Sequence, residues 1–209
     1  GTNQYSPGRD EPDLLRAISE HQQRFYDLDV DPSSEVIVTA GATEAIASSI
    51  LAFARPGDEV ITFEPFYDAY AAVIGLTGAH HVTVELTAPY FQPDLATLEN
   101  AFTSKTRMIL VNNPNNPTGA VFSRAILQRI VELAQRYNVL IVTDEVYEHL
   151  TFDDAQHIPL ATLPGAWERT ITISSAGKTF STTGWKIGWA TAPAELISAI
   201  LTVKQYLTF

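Results

Sequence analysis

The chain has 209 residues, 45% of them hydrophobic, which is enough to bury a sizeable core. Its 24 acidic residues outnumber the 13 basic ones and give a formal net charge of -11, which disfavours nucleic acids and anionic membrane surfaces as partners. The sequence has no cysteine, which excludes disulfides and thiolate metal sites, and no apolar run near the roughly 18 residues of a membrane span. We therefore expect a soluble, cytoplasmic protein.

Strand-like and helix-like segments alternate along the chain. Residues 1–12 form a polar arm, and the spacing that follows predicts an amphipathic helix at 14–27. Apolar or alternating segments predict six strands, at 34–40, 59–64, 80–86, 107–113, 139–145 and 169–174. Helices are predicted at 43–54, at 66–75, near 94–102 and after Ser123, a residue that can cap a helix with one buried face.

The segment VLIVTDE at 139–145 begins with an almost continuous apolar run. Such runs are typical of strands that are covered on both faces. The alternation of strands and helices therefore predicts a one-domain α/β fold with a mostly parallel sheet sandwiched by helices. In sheets of this kind ligands bind at the carboxyl ends of the strands, so functional residues are expected at those positions.

The turn Gly41-Ala42-Thr43 is a candidate anion site. It joins a predicted strand to a predicted helix through small residues, so free backbone N–H groups and the helix dipole can face an anion such as phosphate. Taken alone, the motif is explained more simply as an ordinary turn and helix start.

Three further segments place polar or aromatic side chains at strand ends. The loop NNPNNPTG (112–119) is made rigid by its prolines and can hold the amide of Asn116 in a fixed place. Asp144 ends an apolar run, where a carboxylate needs a cation or a donor, and Tyr147 follows it; a metal ligand or a helix cap is the alternative. In the motif EPFYDAY, Tyr67 either packs in the core or covers a planar ring.

Lys178 lies in the segment SSAGKTFSTTGWKIGW (174–189), just after a predicted strand, and Lys186 follows eight positions later. A solvated loop is the simple interpretation of two such lysines. Together, however, an anion site, an aromatic face, a carboxylate, a phenol, an amide and a lysine amine describe a pyridoxal 5'-phosphate site.

Five motifs occur in the order and at roughly the spacing of one known family: GATEAI, EPFYDAY, NNPNNPTGAV, TDEVYEHL and SSAGKTFSTTGWKIGW. The chain resembles the fold-type I, class I aminotransferases, which depend on pyridoxal 5'-phosphate. Within this family it is most similar to the kynurenine–glutamine–methionine aminotransferases and to the actinobacterial N-succinyldiaminopimelate aminotransferases. The resemblance implies transfer of an amino group from an L-amino acid, such as kynurenine, methionine or glutamine, to a 2-oxo acid.

The resemblance also implies which residues contact the cofactor ring. Lys178 would link covalently to the cofactor and move a proton between it and the substrate α-carbon. Asp144 would pair with the ring nitrogen, while Asn116 and Tyr147 would hydrogen-bond the ring 3' oxygen. Tyr67 would stack on the ring.

A second group of residues would bind the cofactor phosphate. The resemblance implies contacts from the backbone of Ala42 and Thr43, the hydroxyl of Ser175 and the ammonium of Lys186. Many relatives carry an arginine where Lys186 stands, although the kynurenine-type branch also has lysine there. Tyr5 would reach the phosphate of a partner subunit, so we expect a homodimer with shared active sites.

The domain organisation follows from the same resemblance. Residues 1–12 would be an N-terminal arm and 13–209 the large cofactor-binding domain. The family's C-terminal small domain, which holds the substrate carboxylate, lies outside this sequence, so we expect a partial chain.

Three alternatives stay open from the sequence. An N-succinyldiaminopimelate aminotransferase differs only in its substrate, and a C–S β-lyase would use the same cofactor to expel a sulfur leaving group. An aminotransferase-like sensor domain of a transcription regulator would carry a basic DNA-binding segment, which this sequence does not contain.

The histidines and tryptophans are expected to have structural rather than catalytic roles. No metal site is expected, because His21 lies on a predicted helix and the other four histidines are scattered without metal-ligand spacing: His80, His81, His149 and His157. Trp185 and Trp189 are expected to pack beside the cofactor loop.

Overall fold

The computed structural model describes residue 5, residues 7–9 and residues 11–208. Among them, eight strands form one sheet in the spatial order β1-β8-β7-β6-β5-β2-β3-β4. Their bounds are β1 (Val36–Ala40), β2 (Glu59–Glu64), β3 (His80–Thr87), β4 (Gln92–Pro93), β5 (Thr106–Asn112), β6 (Leu140–Asp144), β7 (Thr170–Ser175) and β8 (Ile187–Thr191).

The helices cover both faces of this sheet. One apolar cluster joins the sheet to α4 and α5, and a second joins it to α2, α3 and α7, while α1 packs beside β1. The bounds are α1 (Pro12–Tyr26), α2 (Ala42–Phe53), α3 (Ala69–Thr77), α4 (Leu95–Asn100), α5 (Arg124–Tyr137), α6 (Ala176–Thr179) and α7 (Ala194–Leu207). No described helix is both long and apolar enough to cross a membrane.

Most strand pairs are parallel, as predicted. β3, β2, β5, β6 and β7 form a continuous parallel set, whereas β8 runs antiparallel to β7 and β1, and β4 runs antiparallel to β3. Asn112 at the end of β5 lies opposite Asp144 at the end of β6, and Asp144 lies opposite Ile173 on β7. The register therefore brings the carboxyl ends of these strands to one edge of the sheet.

The predicted elements agree with the structure apart from local shifts. All six predicted strands form, and Ser123 caps α5 by accepting a hydrogen bond from the Ile126 N–H at 3.4 Å. Helix α3 begins at Ala69 rather than at residue 66. The sequence interpretation did not predict β8, which lies within the segment assigned to the lysine-containing loop.

Candidate functional site

A cavity of about 450 Å³ opens at the carboxyl ends of β1, β5, β6 and β7. Nine of the ten predicted site residues line it: Ala42, Thr43, Tyr67, Asn116, Asp144, Tyr147, Ser175, Lys178 and Lys186. The tenth, Tyr5, is 81% exposed and is not among the residues that line this cavity. Its predicted contact is with a partner subunit and stays a prediction.

The start of α2 forms one end of the cavity. Gly41 precedes the helix with φ 78°, a left-handed conformation that glycine adopts without strain, and it leaves the first helical amides without a side-chain cap. A Cβ on Gly188 of β8 would lie 2.4 Å from the Ala42 nitrogen, so only glycine allows β8 to approach this turn. Ser175 and Lys186 line the same cavity, so a hydroxyl and a cation accompany the free amides. This end suits an anion.

Asp144 lies at the floor of the cavity and is only 4% exposed. Its carboxylate accepts hydrogen bonds from the Tyr70 hydroxyl at 2.6 Å and from the Val146 N–H at 3.3 Å. Burial raises the pKa of Asp144 to about 6, against the opposing effect of these hydrogen bonds and of the Lys178 charge. A cation beside this carboxylate would favour its ionised form.

A second buried carboxylate, that of Glu145, supports the end of β6. It accepts hydrogen bonds from the Thr143 hydroxyl at 3.0 Å and the Leu160 N–H at 3.1 Å. It also pairs with His157 Nε2 at 2.8 Å, and both side chains are at most 3% exposed. Burial alone would lower the pKa of His157, but the charge and hydrogen bond of Glu145, together with the charge of Glu148, outweigh burial and raise the pKa. The pair fixes the backbone that carries Asp144.

Two asparagines connect the ends of β5 and β6. The amide of Asn112 donates to the carbonyl oxygen of Asp144 at 2.9 Å, and its oxygen accepts from the Asn116 N–H at 2.6 Å. This bond fixes the backbone of Asn116, which lines the cavity.

The lysine and the aromatic residues form the open side of the cavity. Lys178 lies in the short helix α6, directly after β7, and its Nζ is 5.8 Å from the centroid of the Tyr147 ring. Burial raises the pKa of Tyr147, with a smaller contribution from Asp144. Tyr67 is 37% exposed and packs edge-on against Tyr70 with 5.7 Å between ring centroids. Its ring therefore faces the cavity rather than the core.

Sequence reasoning missed several residues of this site. Tyr70 reads as a core aromatic residue on a helix, and Asn112 as the end of an apolar strand, yet both bond directly to Asp144. Thr183 also lines the cavity. The interpretation of Trp185 as a packing residue was wrong for this chain, since it is 74% exposed, whereas Trp189 is 6% exposed and packs as expected.

The chain is similar to known aminotransferases in sequence and in fold. The sequence matches the family described as aminotransferase class I and II along residues 1–209. It is 52% identical over 211 residues to the probable N-succinyldiaminopimelate aminotransferase of Mycobacterium tuberculosis, covering 100% of this chain and 53% of that protein. It is 43% identical over 213 residues to kynurenine–oxoglutarate transaminase 3 of Mus musculus, covering 97% and 47%.

The fold of the chain is also similar to that of a solved aminotransferase structure. A protein from Escherichia coli, identified as having a methionine aminotransferase function, superposes with a TM-score of 0.97 at 38% identity, over 100% of this chain and 55% of that one. The chain thus spans about half the length of the curated relatives it matches.

Proposed function

The chain belongs to the class I and II aminotransferase family, and we propose that the protein containing it is a transaminase that depends on pyridoxal 5'-phosphate. It would move an amino group from an L-amino acid to a 2-oxo acid. The observation that carries this proposal is that one cavity holds a lysine amine, a buried carboxylate and the uncapped start of a helix, at Lys178, Asp144 and Ala42.

The residues of the cavity fit the functional groups of this cofactor. Its phosphate matches the anion-binding end, with the Ala42 and Thr43 amides, the Ser175 hydroxyl and the Lys186 ammonium. A helix start without a side-chain cap and with a neighbouring cation leaves donors available to phosphate oxygens. When bound, the cofactor would supply an electron sink for the carbanion formed at the α-carbon of the amino acid.

Asp144 would hold the proton on the ring nitrogen of the cofactor. A carboxylate that is 4% exposed gains most from a cationic partner, because burial otherwise disfavours its charge. The Tyr70 hydroxyl, 2.6 Å away, orients the carboxylate, and the Glu145–His157 pair keeps the adjacent backbone in place.

The open side of the cavity would orient the ring and move the proton. Asn116 and Tyr147 would bind the ring oxygen, and Tyr67 would cover the ring face. Lys178 would bind the cofactor covalently in the resting enzyme, and its released amine would take the proton from the substrate α-carbon and return it. Its place on a short helix immediately after β7 keeps the amine close to Asp144 and Tyr147.

We further propose that residues 13–209 are the large cofactor-binding domain, that 1–12 are an arm, and that the protein is a homodimer with shared active sites. Tyr5 on this arm would bind the phosphate in the partner subunit. Mixing Tyr5→Phe and Lys178→Ala subunits of the full-length protein tests this arrangement. A crossing arm leaves one unaltered site in each hybrid dimer, whereas a contact within one chain leaves the Tyr5→Phe defect in every reactive site.

The amino donor is proposed from the relatives. Kynurenine, methionine and glutamine suit the resemblance, and two of the similar proteins are named for kynurenine and for methionine. The 52% identity to the Mycobacterium tuberculosis protein supports N-succinyldiaminopimelate. A panel of these donors with several 2-oxo acids, tested on the full-length enzyme, should give amino transfer that Lys178→Ala abolishes. Turnover without any 2-oxo acid, with release of sulfide or thiol from a sulfur amino acid, would instead support the β-lyase alternative.

A further inference from the structure

Two histidines that are far apart in the sequence meet outside the cavity. His21 lies on α1 and His149 follows β6, separated by 128 positions, yet their Nε2 atoms are 2.8 Å apart. Glu148 presents a carboxylate oxygen to the same place, and one ligand atom from each of the three residues lies within 4.8 Å of the others. None of the three lines the cavity. Spacing along the chain did not indicate this contact, because the two histidines lie on different segments of the fold.

Neighbouring side chains hold the cluster in place. The Tyr26 and Ser174 hydroxyls both donate to the Glu148 carboxylate, which is 5% exposed. The Phe25 ring packs against both imidazoles, with centroids 4.8 Å from His21 and 4.9 Å from His149. Gln22 Nε2 lies 3.3 Å from His21 Nδ1, the nitrogen that faces away from His149, and Gln22 Oε1 has no hydrogen-bond partner among the described residues. Turning the Gln22 amide by 180° would place Oε1 where it can accept from an Nδ1–H, which is the contact that orients a metal-bound imidazole.

We propose that His21, His149 and Glu148 bind a divalent transition-metal ion of the Zn²⁺ type. Imidazole nitrogens and a carboxylate oxygen are ligands that such ions prefer, and one carboxylate offsets part of their charge. In the tetrahedral geometry that Zn²⁺ prefers, an ion about 2.1 Å from both nitrogens needs them about 3.4 Å apart. The observed separation is 2.8 Å, so the two imidazoles must move apart by about 0.6 Å to bind the ion. Glu148 must also move toward the ion to complete three protein ligands, because the ligand atoms of the cluster lie within 4.8 Å of one another rather than within about 3.4 Å.

The site is open to solvent on one side. His149 is exposed and His21 is half-buried, so water can fill the remaining coordination positions. A simple hydrogen bond between two neutral imidazoles explains the distance without any ion and is the competing interpretation. The ion would tie α1 to the segment after β6, in which Tyr147 directly precedes Glu148. It would therefore raise stability rather than take part in chemistry.

Metal titration of the full-length, cofactor-loaded protein tests the proposal. Zn²⁺ is titrated by calorimetry in a non-chelating buffer, and Co²⁺ is followed by its visible absorption, which changes when nitrogen ligands bind. We expect one ion per chain and a Tm that rises with Zn²⁺ concentration. His21→Gln and His149→Gln should each weaken binding by about tenfold or more. His80→Gln, which changes an exposed histidine outside the cluster, should bind as the wild type does.

Three results would overturn the proposal. These are the absence of stoichiometric binding, binding that neither substitution weakens, and binding weakened by only one of them. Thermal unfolding without metal distinguishes a folding defect from the loss of a metal ligand. If only a metal ligand is lost, the metal-free Tm values of His21→Gln and His149→Gln should differ little from that of His80→Gln. If a glutamine variant is unfolded, the Co²⁺ spectrum of the wild type decides: a spectrum without nitrogen ligation rejects the site.

Discussion

Replacing Asp144 by asparagine should stabilise the cofactor-free protein but slow amino transfer by the cofactor-loaded protein. The carboxylate is 4% exposed and its pKa is raised, chiefly by burial, from 3.8 to about 6. A raised carboxyl pKa means that folding favours the protonated form. The contribution of Asp144 to stability is therefore fully present below about pH 3.8, is lost as the pH rises through about 6, and changes little above that. The difference between the two pKa values corresponds to about 3 kcal/mol at neutral pH.

Asparagine removes this charge but also removes one of two acceptor oxygens. The Tyr70 hydroxyl and the Val146 N–H bond to different oxygens of Asp144, so one bond of about 1 kcal/mol is lost. At pH 8 the cofactor-free Asp144→Asn variant should therefore be more stable than the wild type by about 1–2 kcal/mol. The advantage should shrink at pH 5, where the wild-type carboxyl is largely protonated.

Urea unfolding of the cofactor-free full-length protein at pH 5 and pH 8 measures this effect. Asp154→Asn is the matched control, because it makes the same chemical change at an exposed position and should alter stability by less than about 0.5 kcal/mol. In the cofactor-loaded protein the variant should instead transfer amino groups more slowly by several orders of magnitude, since an amide cannot keep the ring nitrogen protonated. The reasoning would be refuted if the Asp144→Asn variant were less stable than the wild type at pH 8. It would also be refuted if the difference in unfolding free energy between variant and wild type were the same at both pH values.

Three further changes have definite expected outcomes. Tyr70→Phe should weaken cofactor affinity, because the Asp144 carboxylate loses the hydrogen bond from the Tyr70 hydroxyl. A hydrogen bond to a charged group contributes about 1.5–3 kcal/mol, and cofactor titration measures the loss of affinity. Gly188→Ala should lower the Tm and release cofactor, because the added methyl would lie 2.4 Å from the backbone at the start of α2. The Glu145–His157 pair should stabilise the protein fully below about pH 6.5 and lose this effect as pH rises through the raised pKa of His157, so His157→Gln should remove that pH dependence of the Tm.

Each of these expectations can fail in a specific way. Unchanged cofactor affinity in Tyr70→Phe would show that the hydroxyl does not orient Asp144. A fully stable, cofactor-binding Gly188→Ala would mean that β8 can move away from the turn. For His157, an unaltered slope of Tm against pH in the glutamine variant would assign that pH dependence to other groups.

The fold was largely predictable because buried strands and helices have recognisable patterns of apolar residues in the sequence. Strand β6 is an apolar run with Asp144 at its end, which identified both a strand covered on two faces and a carboxylate in need of a partner. Strand β8 escaped prediction because Gly188 weakens the strand pattern, and only its approach to the start of α2 explains the glycine.

Side-chain partners were harder to predict than strand ends. Tyr70 has the sequence context of a core residue on α3, and its bond to Asp144 depends on how α3 packs against the sheet. The contact between His21 and His149 joins positions 128 apart and has no local pattern at all. Spacing along the chain identifies ligands on one element, whereas these pairs are created by packing between elements.

Borohydride reduction of the full-length, cofactor-loaded protein, followed by peptide mass spectrometry, tests the central claim most directly. The account predicts that the reduced cofactor is found on the peptide containing Lys178, that Lys178→Ala abolishes the labelling, and that Lys204→Ala, on α7 outside the cavity, retains it. Labelling of Lys186 or of any other lysine in the native protein, or no labelling at all, would contradict the assignment of the cavity as a pyridoxal 5'-phosphate site built around Lys178.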